Sequence, residues 1–501
     1  MADTKISALP SGAPAQAGDE YVIARSGANY KLTGTNLLGL VTGTANTFSA
    51  DQTFGIANAT TVNATTANAT TLDATNVEVT NLKAKDGTAA ATIANSTGVI
   101  AVSTKVEYAD GTAAAPTVTN TGDTDTGVYF PAANEVAVSA GGTVAAGFNS
   151  NGLFFRNRII NGDMRIDQRN AGAAVTISTT NVFTVDRWAA SESSDATFTV
   201  QQDSSAPSGF VNSAKITVTV ADASVAASQY NSFQQKIEGV NVADLAWGTA
   251  SAVTVTLSFW VRSSVTGTFG GALTNSAYNR SYPFTYSISV ADTWEKKTVT
   301  IPGDTSGTWL TTTGIGITVY FDLGSGVDNT GTANAWVGAG NVGADSTVQL
   351  VNTLSATWYV TGVQLETGSV ATPFERRPYG TELQLCQRYY YRLTPGVVSG
   401  LLATGYVVTT TFALGQTNFP VPMRVRPTAL EQSGTANQYE VAHANTATTC
   451  SAVPTYQAAT NASIANTFFT VSSGLTVGQG CALRADTTNG ATAYLGWSAE
   501  L

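Results

Sequence analysis

Short runs of alternating apolar and polar residues recur between residues 156 and 378, and they constrain the fold more than any other feature of the chain. Runs such as FTVDRWAAS, SAKITVTV, AVTVTLSFWVRS and ATWYVTGVQLE have the period of two that is typical of half-buried strands. Gly-, Asn-, Ser- and Asp-rich turn signals separate them. Roughly nine such runs predict an antiparallel β-sandwich or jelly roll.

Composition supports an all-β chain and narrows the classes of partner. Charged residues make up 12% of the 501 residues, against about 25% in ordinary globular domains. The formal charge of -10 argues against a nucleic-acid partner, because phosphate binding needs a basic surface. No apolar run reaches the ~18 residues of a membrane span, and the N-terminus has no apolar signal segment. We therefore expect synthesis in a cytoplasm without membrane insertion.

A five-residue pattern repeats between residues 61 and 85, TVNAT-TANAT-TLDAT-NVEVT-NLKAK. Apolar side chains at the second and fourth positions lie two residues apart, as on one face of an extended backbone. None is large enough for the core of a monomer. Several identical chains wound together would form a narrow shared core, and repetition would then build length. A disordered Thr/Asn/Ala linker is the alternative; a helical pentapeptide solenoid fits less well, since its central position would be Ala.

Three further segments carry local signals. DEYVIAR and NYKLTG around a Ser-Gly turn predict a small hairpin, followed by a helical turn in TNLLGL. EVAVSAGGTVAAGF predicts a second hairpin around Gly141 and Gly142. TELQLCQRYYYRL predicts a helix that opens with a capping box formed by Thr381 and Gln384. More strand-like runs follow that helix and predict a smaller second β domain.

These residues resemble bacteriophage tail fibres and receptor-binding proteins. The N-terminal KISALPSGAPAQAGDEYVIARSGANYKLT is similar to a virion-attachment segment, and GTAAAPTVTNTGDTDTGVYFPAANEVAVSAGG is similar to a shaft module. NRIINGDMRIDQRNAG with WYVTGVQLETGSVATPFERRPYGTELQLCQRYY resembles a jelly-roll domain akin to carbohydrate-binding modules. The resemblance covers most of residues 1–392, whereas the last part of the chain matches only loosely.

The resemblance implies an elongated homotrimeric fibre located in the virion tail. We expect the following segments: 1–40 for attachment to the phage tail, baseplate or an adaptor protein; 41–104 as a thin repeat shaft; 105–155 as a β-hairpin shaft module; 156–378 as the jelly roll; and 379–501 as a distal β domain. The expected function is adsorption to a host surface glycan or protein. The alternatives are a depolymerising tailspike enzyme and a purely structural fibre without a receptor site.

Loop aromatics next to amide or charged side chains are the candidates for sugar contact, because sugar faces pack on rings and hydroxyls bond to polar groups. The stretch TNSAYNRSYPFTY contains Tyr278, Asn279, Arg280 and Tyr282, and two Gly-rich segments contain Trp309 and Trp336. Loop packing or a subunit interface would use the same rings. Trp188 and Trp260 alternate with polar neighbours in strands, so we expect them in the core.

Catalysis, cofactors and metals have weaker signals. Glycoside hydrolysis needs two carboxylates, and no recognisable pair stands out among Asp163, Asp167, Asp186, Glu238, Asp244, Asp292, Glu295 and Asp322. The lone histidine, His443, has no nucleophile elbow nearby, and Cys386, Cys450 and Cys481 fit neither a disulfide framework nor a zinc motif. We therefore expect no enzyme and no cofactor. The resemblance makes Asp163 and Glu366 calcium candidates, although Thr361-Gly362 stands where the family often has an Asp pair.

Overall fold

A computed structural model of the chain describes residues 20–25, 28–33, 81–83, 89–93, 100–102, 105–148 and 156–501. The chain divides into two compact units, residues 1–105 and 106–501. Within the described part, no helix has both the length and the apolar character needed to cross a membrane. The predicted helical turn in TNLLGL and nearly all of the pentad repeat lie outside the described residues.

The first unit contributes short antiparallel strands. β1 (Glu20–Arg25) pairs with β2 (Ala28–Thr33), which confirms the predicted N-terminal hairpin. β3 (Asn81–Lys83), β4 (Ala89–Ile93) and β5 (Ile100–Val102) form a three-stranded sheet. β3 comes from the last pentad, so this described piece of the repeat is extended.

A four-stranded antiparallel sheet opens the second unit. Its strands are β6 (Val118–Asn120), β7 (Asp123–Tyr129), β8 (Val136–Ala140) and β9 (Thr143–Phe148). Gly141 and Gly142 join β8 to β9 with φ of 55° and 72°. Both angles fall in the left-handed region, where glycine carries no steric penalty. The predicted hairpin around Gly141 and Gly142 is confirmed.

The largest part of the second unit is a jelly-roll β-sandwich. Its two sheets contain twelve strands, and β21 and β22 form a separate short pair. In chain order the strands are β10 (Val175–Ile177), β11 (Val182–Phe183), β12 (Trp188–Glu192), β13 (Thr197–Asp203), β14 (Ser213–Val220), β15 (Tyr230–Glu238), β16 (Val255–Ser263), β17 (Gly267–Thr274), β18 (Ser281–Ile288), β19 (Glu295–Ile301), β20 (Ile315–Ser325), β21 (Thr330–Gly331), β22 (Gly343–Ala344) and β23 (Thr357–Thr367). The first sheet has the order β10-β13-β14-β23-β16-β19, and the second has the order β11-β12-β15-β20-β17-β18.

Aromatic side chains from both sheets fill the sandwich core. Trp188 stacks on Phe233 with ring centres 5.0 Å apart, and Phe259 of the first sheet meets Phe321 of the second edge to face at 5.0 Å. Trp188 is therefore in the core, as expected. Trp260 is not: it is half-buried on the opposite side of β16, because Phe259 and Val261 take the inward positions.

The distal part of the chain follows a short helix, α1 (Tyr379–Gln387). Its strands are β24 (Tyr390–Leu393), β25 (Leu401–Val407), β26 (Phe412–Asn418), β27 (Glu431–Gln432), β28 (Tyr439–His443), β29 (Thr446–Thr449), β30 (Ala452–Tyr456), β31 (Ile464–Thr470), β32 (Gly480–Ala485) and β33 (Leu495–Ser498). They form a seven-stranded sheet, β29-β28-β32-β25-β26-β31-β30, and a three-stranded sheet, β24-β33-β27. Trp497 and Phe469 belong to a separate hydrophobic core.

Helix α1 begins two residues before the predicted start at Thr381 and ends at Gln387, before the predicted end at Leu393. The residue before it is Pro378, and no side chain caps it, so the predicted capping box of Thr381 and Gln384 is wrong. The Glu382 carboxylate of the first turn instead accepts the backbone N–H of Asn161 at 2.5 Å.

Short 3-10 turns connect strands at Gly239–Asn241, Ala243–Leu245, Val327–Asn329, Leu350–Asn352, Ala436–Gln438 and Gly490–Thr492.

A covering loop, residues 326–349, lies across part of the outer face of the second sheet. The loop passes so close that a Cβ atom at Gly343 would be 2.1 Å from Asp322 Oδ2. A Cβ at Gly270 would meet Ala344 N at 3.0 Å. The outer surface of this sheet is therefore partly buried, and the remainder holds the site described next.

Candidate functional site

The turn between β17 and β18, residues 275–280, contains three of the predicted site residues. Buried Asn275 organises this turn: its Oδ1 accepts the backbone N–H groups of Asn279 and Arg280, both at 3.2 Å. Its Nδ2 donates to Asn279 Oδ1 at 2.7 Å and to Thr308 O at 3.1 Å. One side chain thus fixes the turn and ties it to the loop after β19.

Tyr278 occupies an unfavourable backbone conformation at the tip of this turn. Its φ is 51°, in the left-handed region that bulky residues rarely adopt. Its side chain is 47% exposed, and its hydroxyl lies 3.0 Å from the Tyr320 hydroxyl on β20. Backbone strain of this kind persists where the surrounding structure requires it, often at ligand sites. Here the strained backbone conformation accompanies the placement of an exposed ring against the outer face of the second sheet.

Outward-facing residues of the second sheet surround Tyr278 and Tyr320. The strand register sets Gln234 beside Tyr320, and sets Thr318 between Lys236 and Thr274. We call this surface the polar sheet face. Its members are Asn181, Ser191, Tyr230, Gln234, Lys236, Thr274, Tyr278, Thr318 and Tyr320.

The polar sheet face has an accessible layer and a buried layer. Asn181 and Tyr278 are exposed, and Tyr230 and Lys236 are half-buried. Asn181 Oδ1 accepts Lys236 Nζ at 2.9 Å and faces Gln234 Nε2 at 3.5 Å. The accessible layer therefore offers two phenol rings, an amide and an ammonium group.

The buried layer contains hydrogen-bonding atoms without partners. Gln234 Oε1 and Thr318 Oγ1 are each shielded from solvent and make no hydrogen bond within ordinary geometric limits. Leaving such an atom unpaired costs about 1–3 kcal/mol. Unpaired polar atoms on the face where Tyr320 contacts the exposed Tyr278 are suited to a ligand that brings hydroxyl groups.

Burial raises the pKa of two phenols of this surface. It raises the pKa of Tyr320 well above its ordinary value, and the nearby Tyr278 hydroxyl adds to the effect. Burial, with a smaller contribution from Tyr278, also raises the pKa of Tyr230. The Lys236 pKa is lowered, first by burial and then by the Arg187 charge. Neutral phenols can both donate and accept hydrogen bonds, as recognition of sugar hydroxyls requires.

A second aromatic surface, the tryptophan cluster, contains Trp247, Tyr282, Trp309 and Trp336. Trp309 and Trp336 meet edge to face at 5.5 Å, and both pack on buried Trp247, at 4.8 and 5.3 Å. The indole N–H groups of Trp309 and Trp336 donate to backbone carbonyls of Ser306 and Pro302. The rings therefore hold three loops together, while Trp309 and Trp336 stay partly exposed.

Arg280 connects the turn to this cluster. Its guanidinium makes two hydrogen bonds to buried Asp304, at 2.8 and 2.6 Å, and lies 5.9 Å from the Trp336 ring centre. The hydrogen bonds to Asp304 raise the Arg280 pKa. Gly307 leaves room for this side chain, since a Cβ there would be 2.5 Å from Arg280 Cγ.

The structure thus divides the predicted site residues between two surfaces. Arg280, Tyr282, Trp309 and Trp336 come together, with Tyr282 buried at 4% exposure. Tyr278 belongs to the polar sheet face, and Asn279 is an exposed turn residue beside it. Sequence reasoning missed Trp247 and the strand residues of the polar sheet face. An outward alternation in YNSFQQKIE and GITVYFDL was the available signal.

The two calcium candidates have other partners. Asp163 Oδ2 lies 2.5 Å from Arg165 Nε, and Glu366 accepts Thr372 Oγ1 at 2.6 Å and Gln364 Nε2 at 2.8 Å. Among the residues that the structure describes, no three His, Cys, Asp or Glu side chains are grouped as a metal site would require.

Comparison with known proteins gives structural similarities of low score. No protein-family model matches the chain, and no curated protein matches it. The chain is similar to the enzymatically active domain of tailspike protein 4 from bacteriophage CBA120, at 12% identity and a TM-score of 0.22, over 42% of this chain and 21% of that one.

Two carbohydrate-binding modules are also similar in structure. One is TmCBM61 in complex with β-1,4-galactotriose, at 9% identity and a TM-score of 0.22, over 42% of this chain and 99% of that one. The other is a family 11 module from Clostridium thermocellum with a mixed-linked tetrasaccharide, at 13% identity and a TM-score of 0.21, over 41% of this chain and 100% of that one. Because these TM-scores are low, we base the functional proposal on the contacts of the site itself.

Proposed function

We propose that the polar sheet face binds a glycan and that the chain serves phage adsorption to a bacterial surface. The proposal is supported chiefly by the buried, unpartnered oxygens of Gln234 and Thr318 on the same sheet face as Tyr320, whose hydroxyl the accessible Tyr278 contacts. A sugar ring would pack against the Tyr230 and Tyr278 rings. Its hydroxyls would bond to the amides, and would reach the buried layer when the Tyr278 side chain moves aside.

The tail-fibre part of the proposal depends on the sequence resemblance. A homotrimer in the virion tail would attach through residues 1–40 and present the jelly roll and the distal part to the host. Three weak sites on one stalk would bind by avidity. A structural fibre without a receptor site remains the rival, and it leaves the unpartnered atoms of the polar sheet face without a role.

We propose binding without catalysis. Several carboxylates that a hydrolase could use are engaged in ion pairs: Glu238 with Arg388, Asp244 with Arg158, Asp292 with Arg262, and Glu295 with Lys297. Incubation with host polysaccharide should release no reducing ends. Release that is lost on substitution of one of these carboxylates would establish the enzyme alternative instead.

A glycan array with neutral and acidic bacterial surface polysaccharides tests the proposed binding on the whole chain. The polysaccharide that binds best is then titrated against Gln234→Met, which keeps the side-chain volume and removes the amide. We expect affinity to fall by about tenfold, the value of one or two hydrogen bonds. No binding across the array would refute the proposal.

Trp309→Phe is the matched variant on the other surface. It keeps a ring in the tryptophan cluster and leaves the polar sheet face untouched. Unchanged affinity in Trp309→Phe, with loss in Gln234→Met, places the sugar on the sheet. The reverse pattern would move the binding site to the loop aromatics that the sequence predicted.

A further inference from the structure

The last residues of the described chain cross from the distal part back to the sandwich. Ala499 N donates to Tyr389 O at 2.7 Å, and Arg424 donates to Ala499 O and Glu500 O, both at 2.7 Å. The Glu500 carboxylate then accepts from two sandwich arginines, Arg187 and Arg169. We call residues 499–501 the tail clasp.

Arg187 connects the tail clasp to strand β15. It lies in the turn between β11 and β12 with φ of 72° and is 2% exposed. Besides pairing with Glu500, it donates through Nη2 to the backbone oxygen of Lys236 at 2.7 Å. Its guanidinium also lies 3.5 Å from the Tyr389 ring centre. One buried arginine thus contacts the tail clasp and the backbone of a polar-sheet-face residue.

Leu501 contacts the side chain of Lys236 through its backbone oxygen. The Leu501 oxygen accepts Lys236 Nζ at 3.0 Å, while Nζ donates to Asn181 Oδ1 at 2.9 Å. Asn181 in turn faces the Gln234 amide. The tail clasp therefore holds Lys236 directly through Leu501 and indirectly through Arg187, and Lys236 bonds the accessible Asn181 amide of the polar sheet face.

We infer that Glu500 and Leu501 are positioning residues for glycan binding, so that the distal part of the chain completes the site on the sandwich. This inference rests on the proposed function of the polar sheet face. Without the clasp, the Lys236 ammonium would exchange its contact with Leu501 for solvent and would hold the Asn181 amide less firmly. Because charge-assisted hydrogen bonds are involved, loss of the clasp should weaken glycan binding about tenfold.

The test uses the whole chain and the best-binding polysaccharide of the array. Glu500→Ala removes the ion pairs with Arg187 and Arg169. If that variant folds poorly, Glu500→Gln replaces it, because glutamine removes the charge and keeps an acceptor for Arg187. Glu440→Ala is the control: Glu440 is 1% exposed and pairs with Arg484 at 2.5 Å, so this variant removes a buried carboxylate and its ion pair away from the sandwich. We expect loss of affinity in the Glu500 variants and less than about twofold change in the control.

A double substitution separates positioning from general stability. Lys236→Met removes the Nζ contact with Leu501 and keeps the backbone contact with Arg187, so Glu500→Ala should cause a smaller loss of affinity in this background than in the wild type. Additive losses, or equal losses in Glu440→Ala, would overturn the inference while leaving glycan binding intact.

Hydrogen exchange on the ligand-free chain tests the coupling independently of any sugar. Glu500→Ala should accelerate exchange in the peptides around Asn181 and Lys236, and Glu440→Ala should not. Absence of glycan binding by the wild-type chain defeats the proposed function. Unchanged exchange rates in Glu500→Ala would show that Glu500 does not position Asn181 and Lys236.

Discussion

The surroundings of Asp322, a buried carboxylate on the outer face of the second sheet, set a pH response. Its Oδ1 accepts Gly324 N at 2.9 Å and Ser325 Oγ at 2.8 Å, and its Oδ2 is buried beside Gly343. Burial raises its pKa from 3.8 to about 6. The folded chain therefore binds this proton more tightly than the unfolded chain between pH 4 and 6, and stability contributed here rises as pH falls through that window.

Asp322→Asn should remove this response. The amide keeps Oδ1 as an acceptor and carries no charge, so the variant should be more stable than wild type at pH 7 by on the order of 2–3 kcal/mol and equal to it near pH 4. Calorimetry at both pH values checks the difference. Asp328→Asn, an exposed carboxylate of the covering loop, is the control. A difference that does not vary with pH would contradict the assignment.

Tyr278 gives a second prediction at the residue scale. Tyr278→Gly relieves the positive φ and removes the ring, so the chain should become more stable by about 1 kcal/mol while glycan affinity falls about tenfold. Thermal unfolding and titration measure the two effects separately. Ser346→Gly relieves a φ of 60° at an exposed site in the covering loop and should stabilise without changing affinity. Equal glycan affinity in both variants would show that Tyr278 does not contribute to glycan binding.

At the scale of elements, the covering loop depends on one glycine. A side chain at residue 343 would lie 2.1 Å from Asp322 Oδ2, whereas a Cβ at Gly338 in the same loop has nothing within 4 Å. Gly343→Ala should therefore destabilise the sandwich by about 1–3 kcal/mol, and Gly338→Ala should have little effect. Calorimetry and hydrogen exchange over residues 326–349 compare the two; similar behaviour would contradict the close packing.

Elements that depend on local signals were predictable. The β8–β9 hairpin follows from alternation around two glycines, and the sandwich strands follow from their period of two. The end of helix α1 was not predictable, because distant partners decide it. Tyr389 is buried with its hydroxyl 2.7 Å from Glu238, and Tyr390–Leu393 pair with β33, about a hundred residues later.

The candidate site was predictable only in part, for a similar reason. Loop position and aromatic character selected Trp309 and Trp336, yet their contact through Trp247 depends on three loops meeting in space. The polar sheet face lies on strands whose outward residues look like ordinary solvent-facing positions. Only the sheet order brings Gln234 beside Tyr320, and only the covering loop and Tyr278 turn that surface into a partly closed one.

At the scale of the whole molecule, the pentad repeat leads to a prediction of assembly. Side chains this small need several chains to form a core, and the resemblance to tail fibres implies three, so the chain should have a solution mass near three times 51.6 kDa. Light scattering with sedimentation measures it. A monomer would remove the physical reason for the repeat as a wound shaft and would favour the linker alternative.

The charge of the polar sheet face predicts which glycans it accepts. Among the residues that define this surface, Lys236 alone is charged, and Nζ is already held by Asn181 and Leu501. An acidic sugar would give up its hydration to face neutral phenols and the unpartnered Gln234 oxygen, at a net cost. Neutral polysaccharides should therefore outcompete uronate-containing ones. Their affinity should change less than about twofold between roughly 0.05 and 0.5 M NaCl, because no ion pair is screened. Titrations at the two salt concentrations measure this. Tighter binding of acidic glycans that weakens steeply with salt would show instead that Lys236 leaves its partners to pair with the ligand.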